Sequence, residues 1–338
     1  MANRDIVAIG TSAGGLDALR FLVSELPKEF PAALLVVMHL SPRFTSRIDS
    51  ILTQLGRMPA HFAENGEPAR HGRIYLAPPD RHLIYDGRLL SLGIGSRENH
   101  SRPSIDPLFR SVAQCCAHRS IGVLMTGTMT DGSAGIHALG DCGGKTVVQD
   151  PEDAAFAEMP ATALRRGNVD HVATLAAIPA LLNELVREPA AVPGDVPENL
   201  QHEVEMAKTG KSTIGLMDRI GRRSVITCPE CDGVMWEIEE GDTLRYRCHV
   251  GHAFSADLVN IALEDSVSRA LAVALRSFEE RAEIARDLEG QAERTSRPAS
   301  AKMWRDRITE LDAEAEVVRD AIKRINRLAR PAPSSAGE

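Results

Sequence analysis

The chain has 338 residues, with 47 acidic against 39 basic side chains, a formal net charge of −8 and 43% apolar residues. That length accommodates one large domain and a smaller one, and the apolar share supplies a sizeable core. The acidic balance, without a dense Lys/Arg block, argues against a general nucleic-acid binder, and no stretch reaches the ~18 uninterrupted apolar residues a bilayer demands, so no membrane insertion is expected.

The N-terminal MANRD leads straight into the short apolar run Ile6 to Ile9, without the basic head and long apolar core of a secretory signal. GTSAGG, residues 10 to 15, follows, and then the amphipathic stretch Leu16 to Leu26. Further strand-like runs cover Ala33 to Met38, Ile121 to Met125 and Thr146 to Gln149, interleaved with helix-compatible segments such as Pro107 to His118. Near-continuous apolar strands alternating with helices predict an α/β fold, a doubly wound parallel sheet covered on both faces, over residues 1–186.

The proline-rich stretch 187–199 reads as a linker. Residues 200–255 combine a helical lead-in with a compact cysteine-rich segment. Two stripes in steps of three and four follow: Leu263, Val267, Ala270, Ala274 and Phe278, then Trp304, Ile308, Leu311, Ala315, Val318, Ile322, Ile325 and Ala329. They predict an antiparallel helical hairpin over 256–330, broken between Gly290 and Pro298, whose stripes could close within one chain or between two. The tail 331–338 is expected to be disordered.

The six cysteines fall into two groups. Cys115, Cys116 and Cys142 read as buried thiols, whereas Cys228, Cys231 and Cys248 have ligand-like spacing, and reduced thiols fit a cytoplasmic protein. TCPEC and RCHVGH bring three thiols together with His249 or His252, which is zinc-ribbon spacing. A closed tetrahedral set leaves no substrate position, so the expected cofactor is a structural zinc. About 30 residues cannot bury enough core to fold unaided.

Three side chains follow three apolar runs: Ser12 after Ile6 to Ile9, His39 after Ala33 to Met38, and Asp131 within TGTMTDG after Ile121 to Met125. In an open parallel sheet the carboxyl ends of the strands share one edge, where ligands bind. A serine, a histidine and an aspartate on one rim are the parts of a hydrolytic triad: the imidazole takes the hydroxyl proton, and the carboxylate fixes the imidazole's tautomer. Each residue alone also has an ordinary explanation, as a helix cap, a structural histidine or a turn aspartate. GTSAGG opens a helix and could favour an anion, but it lacks the lysine of a P-loop and fits neither GxGxxG nor GxSxG.

IVAIGTSAGGLDAL, VVMHLSPRF, RIYLAPPDRHL, SRPSIDPLFRSVA and GVLMTGTMTDGSAGI, in that order, resemble the catalytic domain of the chemotaxis protein-glutamate methylesterases over about residues 5 to 186. The resemblance implies Ser12 as nucleophile, His39 as general base and Asp131 as the acid that orients it. It implies hydrolysis of glutamate methyl esters through an acyl-enzyme, with deamidation of glutamine by the same route. The implied partners are a methylated chemoreceptor or signalling protein, with methyltransferase and histidine-kinase modules as associates. Two positions depart from the family pattern: Thr128 stands where methionine is usual, near the oxyanion-binding region, and Glu158 where glycine is usual. The family's regulatory form carries an N-terminal receiver domain, whereas the catalytic resemblance here begins at residue 5.

CPEC…RYRCHVGHAFS resembles an accessory domain found beside some of these methylesterases and implies His252 rather than His249 as fourth ligand. That segment, with the acidic hairpin, reads as a docking device. On this reading, deletion of residues 200–338 would weaken association with a partner and leave hydrolysis of a simple ester largely intact. The competing reading is a catalytically weak or inactive methylesterase-like docking or sensor module; a phosphate-binding enzyme comes third.

Overall fold

A computed structural model describes residues 3–40, 46–165, 167–240 and 243–328. In chain order its first part contains β1 (Ile6–Thr11), α1 (Gly15–Glu25), β2 (Ala33–Met38), α2 (Ile48–Leu55), β3 (Ala60–Phe62), β4 (Arg73–Leu76), β5 (His82–Tyr85) and β6 (Leu90–Gly93). Then follow α3 (Ile105–Cys116), β7 (Ser120–Leu124), α4 (Ser133–Asp141), β8 (Lys145–Gln149), α5 (Glu158–Arg165), β9 (His171–Ala173) and α6 (Ile178–Leu185). The remainder is α7 (Glu198–Thr209), α8 (Ile214–Ile220), β10 (Arg222–Thr227), β11 (Val234–Glu240), β12 (Thr243–Cys248), β13 (Ala253–Ser255), α9 (Ala256–Arg294) and α10 (Pro298–Leu328).

Seven strands form one parallel sheet in the order β3-β4-β2-β1-β7-β8-β9. Each face is sealed by its own apolar cluster. Alternate residues of β1 divide between them: Ile6 and Ala8 face the side of Leu108, Phe109 and Val112, while Val7 and Ile9 face Leu19, Leu22 and Leu182. Burial on both sides explains why these strands read as unbroken apolar runs. The chain winds outward from β1 through β2, then returns past β1 to β7, so the topology reverses between β1 and β7. Ligands of such sheets bind beyond the strand ends at that reversal. Short strands β3, β4 and β9 and the β5–β6 hairpin complete the sheet and its flank.

The cysteine-rich segment is a four-stranded antiparallel sheet, β10-β11-β12-β13. It belongs to the same compact unit as the α/β sheet, spanning Met1–Val259, while Asn260–Glu338 form a second unit. Five charged side chains, each almost fully buried, tie the first unit together: Glu98 and Arg110 from the α/β part, Glu203 on α7, and Arg245 and Arg247 on β12. Arg110 pairs with Glu98 and lies 3.4 Å from Glu203, Arg245 is 2.9 Å from Glu203, and Arg247 is 2.9 Å from Glu98 and 3.4 Å from Glu203. Deleting residues 200–338 would take Arg247 from Glu98 and Glu203 from Arg110. The cut is therefore expected to cost stability as well, because Glu98 and Arg110 would keep each other but lose their further countercharges.

In the second unit α9 and α10 pack antiparallel through Phe278, Ala282, Ala285, Trp304, Ile308 and Leu311. Interhelix ion pairs Arg286–Asp312, Arg305–Glu289 and Arg319–Glu279 set the register. The break falls inside the expected interval, at its far end: α9 continues through Gly290 to Arg294, and α10 starts at Pro298. Proline suits a first helical turn, whose amide needs no partner, and one glycine costs an otherwise strong helix only about 1 kcal/mol. Val267 and Ala270 are exposed, so the hairpin does not bury this part of the first stripe. Ala329 and the tail 331–338 lie outside the described residues.

Burial alone would raise the Glu98 and Glu203 carboxyls, but the surrounding arginines hold both below their ordinary value of 4.5. A depressed folded-state pKa contributes stability that is complete above the unfolded value and lost as pH falls below it. Glu203→Gln is expected to cost about 3–5 kcal/mol at pH 7 and to flatten the loss of stability below pH ~4.5. Urea unfolding midpoints at pH 7 and pH 4 measure both effects.

Candidate active site

Ser12 follows β1, and its backbone N–H donates to the Thr126 carbonyl after β7 at 3.0 Å. The turn that carries it ends at Gly14, the residue before α1, whose φ of 75° lies in the left-handed region. A Cβ there would also sit 3.1 Å from Ala155 and Thr126, so the tight turn has both a conformational and a steric reason for glycine. Ser12 does not cap α1: no side chain caps that helix. Its Oγ lies 2.9 Å from His39 Nδ1, just past β2. Gly127 closes the other side, where a Cβ would come within 2.9 Å of the Ser12 Cβ.

His39 Nε2 lies 2.7 Å from Asp131 Oδ2. The three residues singled out from the strand ends thus form one hydrogen-bonded line. Asp131 is buried at 1% exposure and His39 is partly exposed. The ring is reversed relative to the usual serine-hydrolase arrangement, in which Nε2 faces the serine and Nδ1 the carboxylate. An ionised carboxylate only accepts, so Nε2 carries the proton toward Asp131 and Nδ1 presents its lone pair to the Ser12 hydroxyl.

Asp131 is densely solvated by protein. Oδ2 also accepts from the Ile105 amide at 2.7 Å; Oδ1 accepts from Ser104 Oγ at 2.7 Å, Asn99 Nδ2 at 3.0 Å and the Asp106 amide at 3.3 Å. Three of these donors, Ser104 Oγ and the amides of Ile105 and Asp106, come from the start of α3, whose unpaired amides suit a carboxylate. Burial alone would raise the Asp131 carboxyl, but the hydrogen bond and charge of His39, with Ile105 and Asn99, hold it well below the usual carboxylate range. Asp106, by contrast, is pushed up to about 7 by burial and by the neighbouring Asp131. It accepts from Asn99 Nδ2 at 2.9 Å and the Gly135 amide at 2.7 Å. Nearby, burial pushes His82 down; its Nε2 donates to the Ser96 carbonyl at 3.0 Å, and its Nδ1 accepts from the Ser104 amide at 3.3 Å.

Sequence reasoning assigned no role to Asn99, Ser104, Asp106 or Glu98. The only signal was their place in or beside the segment SRPSID. The two departures, Thr128 and Glu158, both lie against a residue of unusual backbone. Met129 adopts φ 67°, a left-handed backbone that a side chain resists, and its amide donates to the Glu158 carboxylate at 2.8 Å. Glu158 thus fastens the strained turn immediately before Asp131.

At the second site, the Sγ atoms of Cys228, Cys231 and Cys248 and Nδ1 of His252 all lie within 4.8 Å of one another. Cys231–Cys248 and Cys228–His252 are 3.7 Å apart, and Cys248–His252 3.6 Å. A tetrahedral zinc with bonds of 2.0–2.3 Å requires ligand edges of about 3.3–3.8 Å. The donor set therefore fits a zinc ion, and His252 rather than His249 belongs to the cluster. Cys116 and Cys142 are buried and Cys115 is half-buried; all six cysteines are free thiols. Among the described residues no helix is long and apolar enough to cross a membrane.

Residues 7–182 match the family model of the CheB methylesterase. A protein-glutamate methylesterase/protein-glutamine glutaminase of Anaeromyxobacter dehalogenans is 38% identical over 186 residues, 55% of this chain and 54% of that protein. A Leptospira interrogans protein provisionally given the same name is 36% identical over 184 residues, 54% of this chain and 95% of its own length. The CheB methylesterase catalytic domain of Thermotoga maritima superimposes with a TM-score of 0.52 at 32% identity, over 55% of this chain and all of that one. With its α/β sheet and the line from Ser12 through His39 to Asp131 already described, the chain belongs to the CheB methylesterase family.

Proposed function

We propose that the chain is a protein-glutamate methylesterase, with glutaminase activity at the same centre, acting on methylated or amidated side chains of a chemoreceptor or related signalling protein. The observation that carries this reading is the continuous hydrogen-bonded line Ser12–His39–Asp131 at the sheet's reversal point. Ser12 Oγ attacks the ester carbonyl while His39 Nδ1 accepts its proton. Asp131 stabilises the imidazolium through Nε2–H and stays ionised. The tetrahedral intermediate expels methanol, which takes the proton from Nδ1. Water, deprotonated by the same nitrogen, then attacks the acyl-enzyme and releases glutamate and the restored Ser12 hydroxyl. Glutamine follows the same course with ammonia as leaving group.

The developing oxyanion needs donors on the serine side. The amides of Ser12, Gly127 and Met129 donate to Thr126, Phe156 and Glu158 respectively, so we assign this role to the amides of Ala13 and Thr128. Each such donor is worth on the order of 3 kcal/mol of transition-state stabilisation. The cysteine–histidine cluster would hold a structural zinc through Cys228, Cys231, Cys248 and His252; bound there, the ion supplies cross-linking of β12 to its neighbours and no open position for substrate.

Ser12→Ala is expected to abolish methanol release from a methylated receptor fragment, measured by gas chromatography, and turnover equal to the parent chain would remove the serine from its role. A serine-reactive phosphonate should label Ser12 alone; failure to label it would favour the docking-module reading. Asp131→Asn lets the wrong tautomer form and is expected to lower kcat by about 10⁴-fold with KM little changed, as steady-state kinetics would show.

A further inference from the structure

Asp131 is gripped from two sides, and both grips lead to the cysteine-rich sheet. On one side stands Asn99. Its backbone is left-handed, with φ 49°, and its side-chain amide donates to Asp131 at 3.0 Å and to Asp106 at 2.9 Å. That unusual backbone is pinned from outside the α/β part: the Asn99 amide donates to the Ala253 carbonyl of β13 at 2.8 Å. Glu98 bridges to Ala253 and pairs with Arg247 of β12 at 2.9 Å. Ser96 Oγ donates to the Val250 carbonyl at 2.7 Å, and the His100 ring packs against Phe254 at 4.9 Å between centroids. On the other side Thr130, next to Asp131 in sequence, shares a 2.9 Å hydroxyl–hydroxyl bond with Ser255.

The residues that hold this loop are neighbours of the metal-ligand candidates. Arg247 precedes Cys248 and Ala253 follows His252. The turn between them is closed by Cys248 N to His252 O at 3.0 Å, Gly251 N to Cys248 O at 2.9 Å and Arg247 Nη1 to Gly251 O at 3.0 Å. A metal ion joining Cys248 and His252 to Cys228 and Cys231 would fix the spacing of β12 and β13, and with it the anchors of residues 96–102.

We infer that the cysteine-rich sheet is part of the catalytic scaffold: through β12 and β13 it sets the backbone of Glu98 and Asn99, and Asn99 is a positioning residue that holds the Asp131 carboxylate in line with His39. Metal loading then tunes hydrolase reactivity from outside the cleft. This rests on the esterase reading above, since the alignment matters only if Ser12 reacts. The alternative arrangement, a metal module that merely docks partners, gives no reason for its strands to hold the triad loop.

The test uses the full chain, loaded with zinc or stripped by a chelator, and two variants at position 99. Asn99→Gly keeps a residue that accepts the left-handed backbone and removes only the amide. Asn99→Asp tolerates the same backbone and puts a third carboxylate beside Asp106 and Asp131. With metal content unchanged, the saturating rate of Ser12 phosphonylation should fall about tenfold in Asn99→Gly, the value of a hydrogen bond to a charged group, and further in Asn99→Asp, with the half-saturating concentration constant. On metal removal, hydrogen exchange should accelerate at residues 96–102 and 129–132 while β1, β2 and β7 stay protected. Parent-like rates in both variants, or unchanged exchange in those segments, would overturn the inference. So would loss of protection throughout, because the metal would then hold the whole fold. A parent chain whose Ser12 does not react at all would count against the esterase reading, and the exchange experiment would still decide the coupling.

Discussion

The demanding element of this molecule is an ionised carboxylate kept at 1% exposure beside an imidazole. Removing a charge from water is tolerable only when protein dipoles replace the lost hydration. Asp131 receives that replacement from the opening of α3 through Ile105 and Ser104, from Asn99 and from His39. The second carboxyl, Asp106, then finds itself beside an existing negative charge in a dry site and shifts upward in response. Much of the irregular architecture between β6 and α3, including the left-handed Asn99 and His100, serves to bring donors to one anion.

The same constraint reaches further than the cleft. Glu98 precedes Asn99, and burying it calls for Arg110 and Arg247; burying those arginines calls for Glu203. Five charges from α/β sheet, linker helix and cysteine-rich sheet therefore share one interior. Such a cluster contributes less net stability than an apolar core of equal volume, but it punishes separation of its parts. It ties the α/β part and the cysteine-rich segment into one compact unit.

The three residues of the Ser12–His39–Asp131 line were legible in the sequence because each follows a run of buried apolar residues, a pattern that points to strand and rim together. β1, β2 and β8 were readable for the same reason. Strands β3, β4 and β9, of three or four residues, were not, since so short a run has no periodicity to detect. Asn99, Glu98 and Asp106 were invisible for another reason: their roles depend on partners such as Ala253, Arg247 and Asp131, which are neighbours only after folding. The interval of the hairpin break was legible but not its exact place: composition marks Gly290 as a breaker, while helix propensity around it and the ion pairs of Arg305 carry the helix past it to Arg294. The cysteine–histidine cluster was recognisable because the spacing of its residues is local.

The reversed imidazole has a chemical corollary. The nitrogen open to the serine side is Nδ1, whereas Nε2 is occupied by a buried carboxylate. An alkylating reagent delivered into this cleft would therefore modify the ring at the atom nearest the backbone, a crowded position that most histidine-directed labels do not reach in hydrolases of the opposite orientation. The regioisomer recovered after digestion would be a fingerprint of this geometry, and small electrophiles should outperform bulky ones.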